Sequence, residues 1–294
     1  MKIPTKKIHN GFEIPVYGFG LWLVGGKRSA EYENDEREIT ALKNALDLGV
    51  THFDTAEGYA AGHSEELLGQ AIKGYDREKL FLATKISGEN QTYDGVYKSL
   101  NASLERLETN YVDLYMLHSY PAKGIPIKET MRALNELVDT GKIKYIGVSN
   151  LTPRRFDEAQ KYSKNKIVCN QVHYNIQFRE AEISGVLKHC QKNDIMLVAW
   201  RPLQKNMLPE SELINSFAEK YNKTPNQVAL NWLTSQDNVV TISKTSSLKH
   251  LKENIEAVSW RMAAEDIEKI RNDLPYQESI SDTYPLNYDA DIPA

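Results

Sequence analysis

Eight short runs of apolar, often β-branched residues recur along the chain, and amphipathic segments separate them. The runs occupy residues 16–19, 50–53, 80–84, 112–117, 145–148, 168–172, 196–199 and 239–242. Between the first two runs, the spacing of one helical face is shown by Ile39, Leu42, Ala45 and Leu46. Strands that alternate regularly with helices predict a parallel sheet whose faces the helices cover.

Turn residues divide the chain into these elements. Gly49, Gly74 and Gly141 stand where the helical pattern stops, a position that glycine favours. Residues 6–15 resemble a small hairpin that turns at Asn10-Gly11. No linker-like or low-complexity stretch interrupts the chain, so one domain over residues 1–294 is expected, a closed (β/α)8 TIM barrel. A doubly wound open sheet is the alternative, because strand count alone favours the barrel only modestly.

The composition narrows the class of partner. A formal net charge of -4 gives no general attraction to nucleic acid or to anionic membranes. The longest strongly apolar run, residues 195–200, is too short to span a bilayer, and residues 1–15 lack the apolar region of a secretory signal. Two cysteines, Cys169 and Cys190, favour a reducing compartment. We expect a cytoplasmic protein without nucleic-acid or membrane partners, of undetermined oligomeric state.

Chemically capable side chains follow the predicted strands, at the edge where active sites of such barrels lie. Asp54 and Tyr59 come after the second strand, Lys85 after the third and His118 after the fourth. The later strands lead into Ser149, Asn150, Gln171, Trp200 and Lys244. The pattern predicts one site at the carboxyl ends of the strands.

The first four of these residues suit the protonation of a developing alkoxide. A free phenol, with a pKa of about 10, is a weak acid at neutral pH. A nearby lysine ammonium stabilises the phenolate, an aspartate keeps that lysine charged, and a neutral imidazole can orient a carbonyl oxygen. Each residue alone is commonplace in capping, packing or surface roles. Together, on three consecutive strand ends, Asp54, Tyr59, Lys85 and His118 predict reduction of an aldehyde or ketone.

Five blocks of the sequence resemble the aldo-keto reductase family. They are "FDTAEGY" (53–59), "LATK" (82–85), "DLYMLH" (113–118), "GKIKYIGVSN" (141–150) and "NQVHYN" (170–175). The resemblance runs from the N-terminal hairpin to about residue 254 and implies a (β/α)8 barrel that reduces carbonyl compounds with NAD(P)H. It implies that the four residues form the family's catalytic tetrad, with Tyr59 as general acid. His118 matters here, because the branch that reduces steroid double bonds carries glutamate at that position.

The resemblance also implies where the nicotinamide end of the cofactor binds. The residues that match the carboxamide contacts are Ser149, Asn150 and Gln171. Their donors and acceptors suit a primary amide. The block "WRPL" (200–203) replaces the family's "YSPL". It puts Trp200 where a tyrosine usually stacks on the ring, Arg201 towards the pyrophosphate or solvent, and Leu203 in the same cofactor-binding block.

Residues 242–254, "ISKTSSLKHLKEN", resemble the family's adenosine-phosphate block. The matches are Lys244 and Thr245 for the 2′-phosphate, Ser246 before an anion-favouring helix N-terminus, and Glu253 and Asn254 for the adenine. The departure is His250, which replaces an arginine and lacks the fixed, always-charged contact that a guanidinium makes with phosphate. NADPH is therefore the expected cofactor, with tolerance of NADH.

The substrate pocket is expected to be walled by Trp22 and Tyr120. The substrate is a small-molecule carbonyl compound whose identity the sequence does not specify, because residues 21–35 and 276–294 are the least motif-like parts. Those C-terminal residues contain no lysine or arginine, so a preference for anionic substrates is not indicated.

Competing signals are weaker. A Rossmann G-x-G-x-x-G fails in residues 18–23, which supply only two of the three glycines. Ser149, Tyr162 and Lys166 imitate the spacing of short-chain dehydrogenases, but the latter two are expected at the surface. No metal site is expected, since His52 with Asp54, and His189 with Cys190, give no full ligand set, and His173 is expected as a polar residue near the barrel rim.

Two other functions stay open. A barrel of this family could act as a sensor or regulatory subunit that binds NADPH and turns over slowly. An unrelated phosphate-binding aldolase or isomerase could instead form a Schiff base at Lys85.

Overall fold

The computed structural model describes residues 2–203, 211–274 and 286. Its strands are β1 (Thr5–Lys7), β2 (Glu13–Pro15), β3 (Tyr17–Gly20), β4 (His52–Asp54), β5 (Phe81–Ile86), β6 (Val112–Leu117), β7 (Ile143–Ser149), β8 (Ile167–His173), β9 (Met196–Trp200) and β10 (Val239–Ser243). The last eight are parallel and close into a barrel in which β10 pairs with both β3 and β9.

The closed barrel confirms the predicted fold, and closure rules out the doubly wound open sheet. Each of the eight apolar runs contributes a strand, and every strand bound lies within two residues of its run. Buried residues fill nearly all positions of these strands, as expected for a parallel sheet covered on its outer face.

Helices fill the segments between the barrel strands, and two more follow the last strand. Those described are α1 (Asp35–Asp47), α2 (His63–Ile72), α3 (Tyr93–Arg106), α4 (Ile127–Asp139), α5 (Pro153–Tyr162), α6 (Glu180–Ile183), α7 (Val186–Lys192), α8 (Glu212–Tyr221), α9 (Pro225–Thr234), α10 (Leu248–Ala257) and α11 (Ala264–Asp273). None of the helices in the described part of the chain combines the length and apolar character that a membrane span requires.

The predicted helix ends are confirmed. Gly49, Gly74 and Gly141 each lie two residues beyond a helix, with φ of 89°, 89° and 72°. Glycine reaches these left-handed values without the steric cost of a Cβ atom, so the chain turns there into the next strand.

The hairpin at the start of the chain covers the amino end of the barrel. β1 and β2 pair antiparallel, and Gly11 has a φ of 91° in the loop between them, as predicted. Phe12, fully buried, packs edge-on against Phe81 at 6.0 Å and against Tyr145 at 4.9 Å between ring centroids. Since Phe81 is the first residue of β5, this aromatic contact covers the amino end of the barrel, its floor. The carboxyl ends of the strands are left as the open face.

The barrel is tightly packed around Gly147. A Cβ atom at Gly147 of β7 would lie 2.6 Å from Cys169 Sγ and 2.7 Å from Met116 Cγ. The hydrogen atom of glycine therefore lets the side chains of β6 and β8 meet across β7. This filled layer supports the polar residues that lie above it at the strand ends.

Candidate functional site

The structure brings the four residues of the predicted tetrad together. Asp54 is the last residue of β4, Lys85 lies near the end of β5, and His118 follows β6 directly. Tyr59 begins a short 3-10 helix, Tyr59–Gly62, after β4. Lys85 Nζ lies 2.6 Å from Asp54 Oδ1 and 3.4 Å from Tyr59 OH, and the Tyr59 and His118 rings are 5.5 Å apart.

The buried lysine is held in its charged form. Lys85 is 0% exposed, and its ammonium also donates to the Thr55 carbonyl oxygen at 2.8 Å. Burial favours the neutral amine, but the charge of Asp54 and the contact with Tyr59 oppose it, and together they raise the pKa of Lys85 above its usual value. A lysine held charged in this way is a poor nucleophile, which argues against the Schiff-base alternative.

The imidazole of His118 is neutral at physiological pH. Burial is the main cause, and the nearby Lys85 ammonium adds to it, so that the pKa of His118 is lowered to about 3. A neutral imidazole carries one N–H donor and one acceptor nitrogen. Across the pocket from a phenol, it can hold an oxygen atom without placing a second positive charge beside Lys85.

Gln171 links the tetrad to the predicted carboxamide residues. Its Nε2 donates to Asp54 Oδ2 at 2.8 Å, so both oxygens of that carboxylate have partners. Its main-chain oxygen accepts hydrogen bonds from Ser149 Oγ at 2.8 Å and from the main-chain N–H of Asn150 at 2.9 Å. Sequence reasoning assigned Gln171 to the cofactor alone and missed its bond to Asp54, for which β8 carries no local signal.

Asn150 is fixed by three further contacts. Its φ of 59° is left-handed, and its Nδ2 donates to Ser149 Oγ at 3.0 Å and to the His118 carbonyl oxygen at 3.3 Å. Trp200 Nε1 donates to Asn150 Oδ1 at 3.3 Å. A phenol ring in place of this indole has no N–H at that position, so the tryptophan of the "WRPL" block adds a hydrogen bond to Asn150, one of the predicted carboxamide residues.

Trp200 also belongs to an aromatic stack that the sequence did not reveal. His173 lies parallel to Trp200, with centroids 4.4 Å apart and planes at 12°, and Phe178 stacks on the other face of His173 at 3.9 Å. His173 ends β8, which is the rim position expected for it. Arg201 has a φ of 54° and lies 5.3 Å from the Trp200 ring centroid, and Leu203 packs partly buried against the core.

The predicted adenosine residues lie in the loop after β10 and on α10. Lys244 Nζ donates to the Leu23 carbonyl oxygen at 2.5 Å and lies 3.5 Å from Glu38 Oε1. Burial is the main cause of a lowered pKa at Lys244, opposed by Glu38. Thr245 Oγ1 accepts from the Ser247 amide at 3.1 Å, which shapes the turn into α10.

The remaining residues of this block differ in exposure. Ser246 and His250 are exposed, and Ser247 caps α10 by accepting from the His250 amide at 3.3 Å. Glu253 is half-buried, near Lys249 at 3.9 Å. Asn254 is buried, and its Nδ2 donates to Ser243 Oγ at 3.2 Å.

The two predicted pocket residues occupy different surroundings. Trp22 is 36% exposed and lies edge-on to Tyr59 with 5.1 Å between centroids, so it stands directly at the tetrad. Tyr120 lies beside α5, where its hydroxyl donates to Glu158 Oε2 at 2.7 Å and Arg155 lies 4.6 Å from its ring centroid. The C-terminal residues 276–294, expected to shape the pocket, lie outside the described residues except for residue 286.

The competing signals do not form sites. Tyr162 is 37% exposed at the end of α5, and Lys166 donates to the Asn193 carbonyl oxygen at 3.0 Å. Within residues 2–203, 211–274 and 286, no cluster of three or more histidine, cysteine or acidic side chains could hold a metal ion. His189 instead pairs with Asp157 at 2.8 Å.

Comparison with known sequences gives a consistent picture. The model of the Aldo/keto reductase family matches residues 17–273. Glyoxal reductase of Bacillus subtilis (strain 168) is 36% identical over 268 residues, which cover 90% of this chain and 91% of that protein. Methylglyoxal reductase YeaE of Escherichia coli (strain K12) is 32% identical over 260 residues, covering 86% and 89%.

Two solved structures of aldo-keto reductases are similar to this chain. The thermostable aldo-keto reductase Tm1743, in complex with the inhibitor epalrestat, superposes with a TM-score of 0.87 at 41% identity, covering 91% of this chain and 98% of that one. An aldo-keto reductase from Klebsiella pneumoniae in complex with NADPH gives a TM-score of 0.83 at 30% identity, covering 95% and 98%.

Proposed function

The chain belongs to the aldo/keto reductase family, and we propose that it reduces small aldehydes and ketones with NADPH, α-dicarbonyls such as glyoxal and methylglyoxal among them. Two relatives that act on such dicarbonyls, at 36% and 32% identity, support this substrate class. The observation that carries the proposal is the buried Lys85 ammonium, 3.4 Å from the Tyr59 hydroxyl and 2.6 Å from Asp54.

Tyr59 is the proton donor in this proposal. When bound, the nicotinamide supplies the hydride that forms the new C–H bond at the carbonyl carbon. The carbonyl oxygen takes the phenolic proton of Tyr59, and the Lys85 ammonium stabilises the phenolate left behind. Asp54 keeps Lys85 charged throughout, and a proton from solvent restores the phenol.

His118 orients the carbonyl oxygen. The imidazole packs edge-on to the Tyr59 ring with 5.5 Å between centroids, and its low pKa of about 3 keeps it neutral while the proton moves. An N–H donor aimed at the same oxygen as the phenol fixes the carbonyl in line with Tyr59. Trp22, edge-on to Tyr59, provides the apolar wall against which a small substrate packs.

The described residues fit a nicotinamide cofactor. The Ser149 hydroxyl donates a hydrogen bond to the main-chain oxygen of Gln171. Its two lone pairs are therefore available to accept hydrogen bonds, one from Asn150 Nδ2 and one from an N–H of the cofactor's carboxamide. Trp200 offers an indole ring for stacking at the same strand edge. Lys244 and the hydroxyl-rich turn before α10 suit an anionic group at the other end. NADPH is preferred because Lys244 adds a cation at this end, and NADH is tolerated because His250 adds no fixed charge for the 2′-phosphate.

The test is consumption of NADPH with glyoxal, methylglyoxal and a panel of simple aldehydes and ketones. Tyr59→Phe should lower kcat by about 10²-fold or more while NADPH still binds, since the ring remains and only the proton donor is lost. Tyr162→Phe, which removes the hydroxyl of an exposed tyrosine, is the matched control and should keep full activity. Unchanged turnover of Tyr59→Phe would remove the assignment.

A further inference from the structure

Helix α1 places a guanidinium beside the turn that precedes α10. Arg37, in the first turn of α1, donates from Nη2 to Ser246 Oγ at 3.1 Å. Both residues are exposed, and Ser246 lies two residues beyond Lys244 in the adenosine-phosphate block. The Arg37 charge is close enough to Lys244 to lower the pKa of that lysine, in addition to the larger effect of burial. Two cations therefore face this turn from two different elements.

The two cations differ in how far their charge is compensated. Lys244 Nζ lies 3.5 Å from Glu38 Oε1 and donates to the Leu23 carbonyl oxygen. Glu38 itself is anchored, because its Oε2 accepts from the Gly25 amide at 2.5 Å. For Arg37, no carboxylate of the described ranges 2–203 and 211–274 lies within ion-pair distance. The positive charge left over at this turn belongs to Arg37.

Residue 250 is a histidine and offers no guanidinium at this turn. His250 is exposed on the first turn of α10, and its main-chain amide is already used by the Ser247 cap. A guanidinium is always charged and presents several donors in one plane, which an imidazole does not. The chain thus has a histidine where a phosphate-binding arginine would serve, and an arginine on the neighbouring helix that reaches the same turn.

We propose that Arg37 binds the 2′-phosphate of NADPH and supplies the guanidinium that position 250 lacks. This inference rests on the proposed function for its ligand, and it moves the main determinant of NADPH preference from α10 to α1. Ser246 holds the guanidinium at the turn, and the α10 N-terminus lies beside it. Lys244 contributes less than its position suggests, because Glu38 offsets its charge.

The first experiment measures binding of adenosine 2′,5′-bisphosphate and of 5′-AMP by calorimetry, which needs no turnover. Arg37→Ala should weaken binding of the bisphosphate by about tenfold, as expected for the loss of one charge-assisted contact at an exposed site. Binding of 5′-AMP, which lacks the 2′-phosphate, should change by less than about twofold. Lys43→Ala is the matched control, because it removes an exposed cation from the same helix and should leave both affinities unchanged.

A rescue variant separates recognition from a merely structural tether. Arg37→Ala combined with His250→Arg should regain most of the affinity for the bisphosphate, since it returns a guanidinium to the turn from the other helix. If the Arg37 side chain only holds the turn against α1, Arg37→Ala should weaken the binding of both nucleotides equally, and an arginine at position 250 should not restore it. Equal weakening, absence of rescue or an unchanged bisphosphate affinity would each overturn the inference.

The kinetic test keeps this inference apart from the proposed function. The ratio of kcat/KM for NADPH to that for NADH should fall by about tenfold in Arg37→Ala, through the KM of NADPH. If wild-type protein reduces carbonyls with NADPH and the ratio does not move, the inference alone fails. If wild-type protein oxidises neither cofactor with any carbonyl compound, the proposed function fails. The calorimetry still decides whether Arg37 binds the 2′-phosphate.

Discussion

Replacing Asp54 by asparagine should turn Lys85 from a charged into a neutral side chain. The Lys85 side chain is 0% exposed and the Asp54 side chain 2%, and 2.6 Å separates Lys85 Nζ from Asp54 Oδ1. Removal of one partner from a buried ion pair costs about 3–5 kcal/mol, because the remaining group must either stay charged without a partner in a poorly polarisable interior or give up its charge. Asparagine keeps an acceptor oxygen for the lysine, so we expect a loss at the lower end, about 3 kcal/mol at pH 7.

The sign of the pH dependence follows from the pKa of Lys85. In the wild-type protein the folded-state value lies above the usual 10.5, so the stabilisation is fully present below pH 10.5 and is lost as pH rises through the folded value. Without the carboxylate, burial dominates and lowers the folded-state pKa below that of the unfolded chain. The unfolded state then binds more protons, and the free energy of unfolding of Asp54→Asn should rise, relative to wild type, between pH 7 and pH 9.

Urea unfolding at pH 7 and pH 9, together with kcat for a reducible aldehyde, tests this reasoning. Asp113→Asn is the control, because Asp113 is also buried and pairs with Arg77 at 2.9 Å, but below the site. It should lose stability yet keep kcat, whereas Asp54→Asn should lose kcat as well. A destabilisation of Asp54→Asn below about 1 kcal/mol, or no relative gain at pH 9, would refute a charged buried lysine held by this aspartate.

Three further predictions concern the floor, the cofactor edge and the pocket. Phe12→Ala should lower the free energy of unfolding by about 3 kcal/mol, measured in urea, because it empties the contact with Phe81 and Tyr145. Trp200→Phe keeps a stacking ring but loses the hydrogen bond to Asn150, so the KM for NADPH should rise about threefold or more at similar kcat. Trp260→Phe is the control and should leave the KM for NADPH unchanged, because the buried Nε1 of Trp260 has no partner within the described residues. Profiles of kcat against pH should show no step from His118 between pH 5 and 8, since its pKa is about 3; a step near pH 6.5 that disappears in His118→Gln would contradict this.

The sequence predicted the parts of the molecule that depend on local chemistry. Gly49 and Gly141 mark helix ends because a left-handed residue is needed there, and Asn10-Gly11 marks the hairpin for the same reason. The strand ends could be located from the apolar runs, and in a closed parallel barrel all of those ends meet at one face. Convergence of Asp54, Tyr59 and Lys85 follows from that topology.

The contacts that sequence reasoning missed join residues far apart in the chain. Gln171 bonds to Asp54 across 117 positions, and Arg37 bonds to Ser246 across 209 positions. Such pairs depend on barrel stagger and side-chain rotamers, which no local pattern encodes. The stack of His173 on Trp200 is of the same kind, because only the register of β8 against β9 sets the two rings side by side.

The hairpin cover has a practical consequence for attaching the protein to a surface. Cys169 and Cys190 are both 0% exposed, and burial raises the pKa of the Cys190 thiol to about 12, so neither reacts readily with thiol reagents at neutral pH. Asn10 is exposed at the tip of the hairpin, on the side opposite the open face. An Asn10→Cys variant would therefore couple to a maleimide-coated electrode or bead at one point, with the mouth of every molecule turned towards the solution.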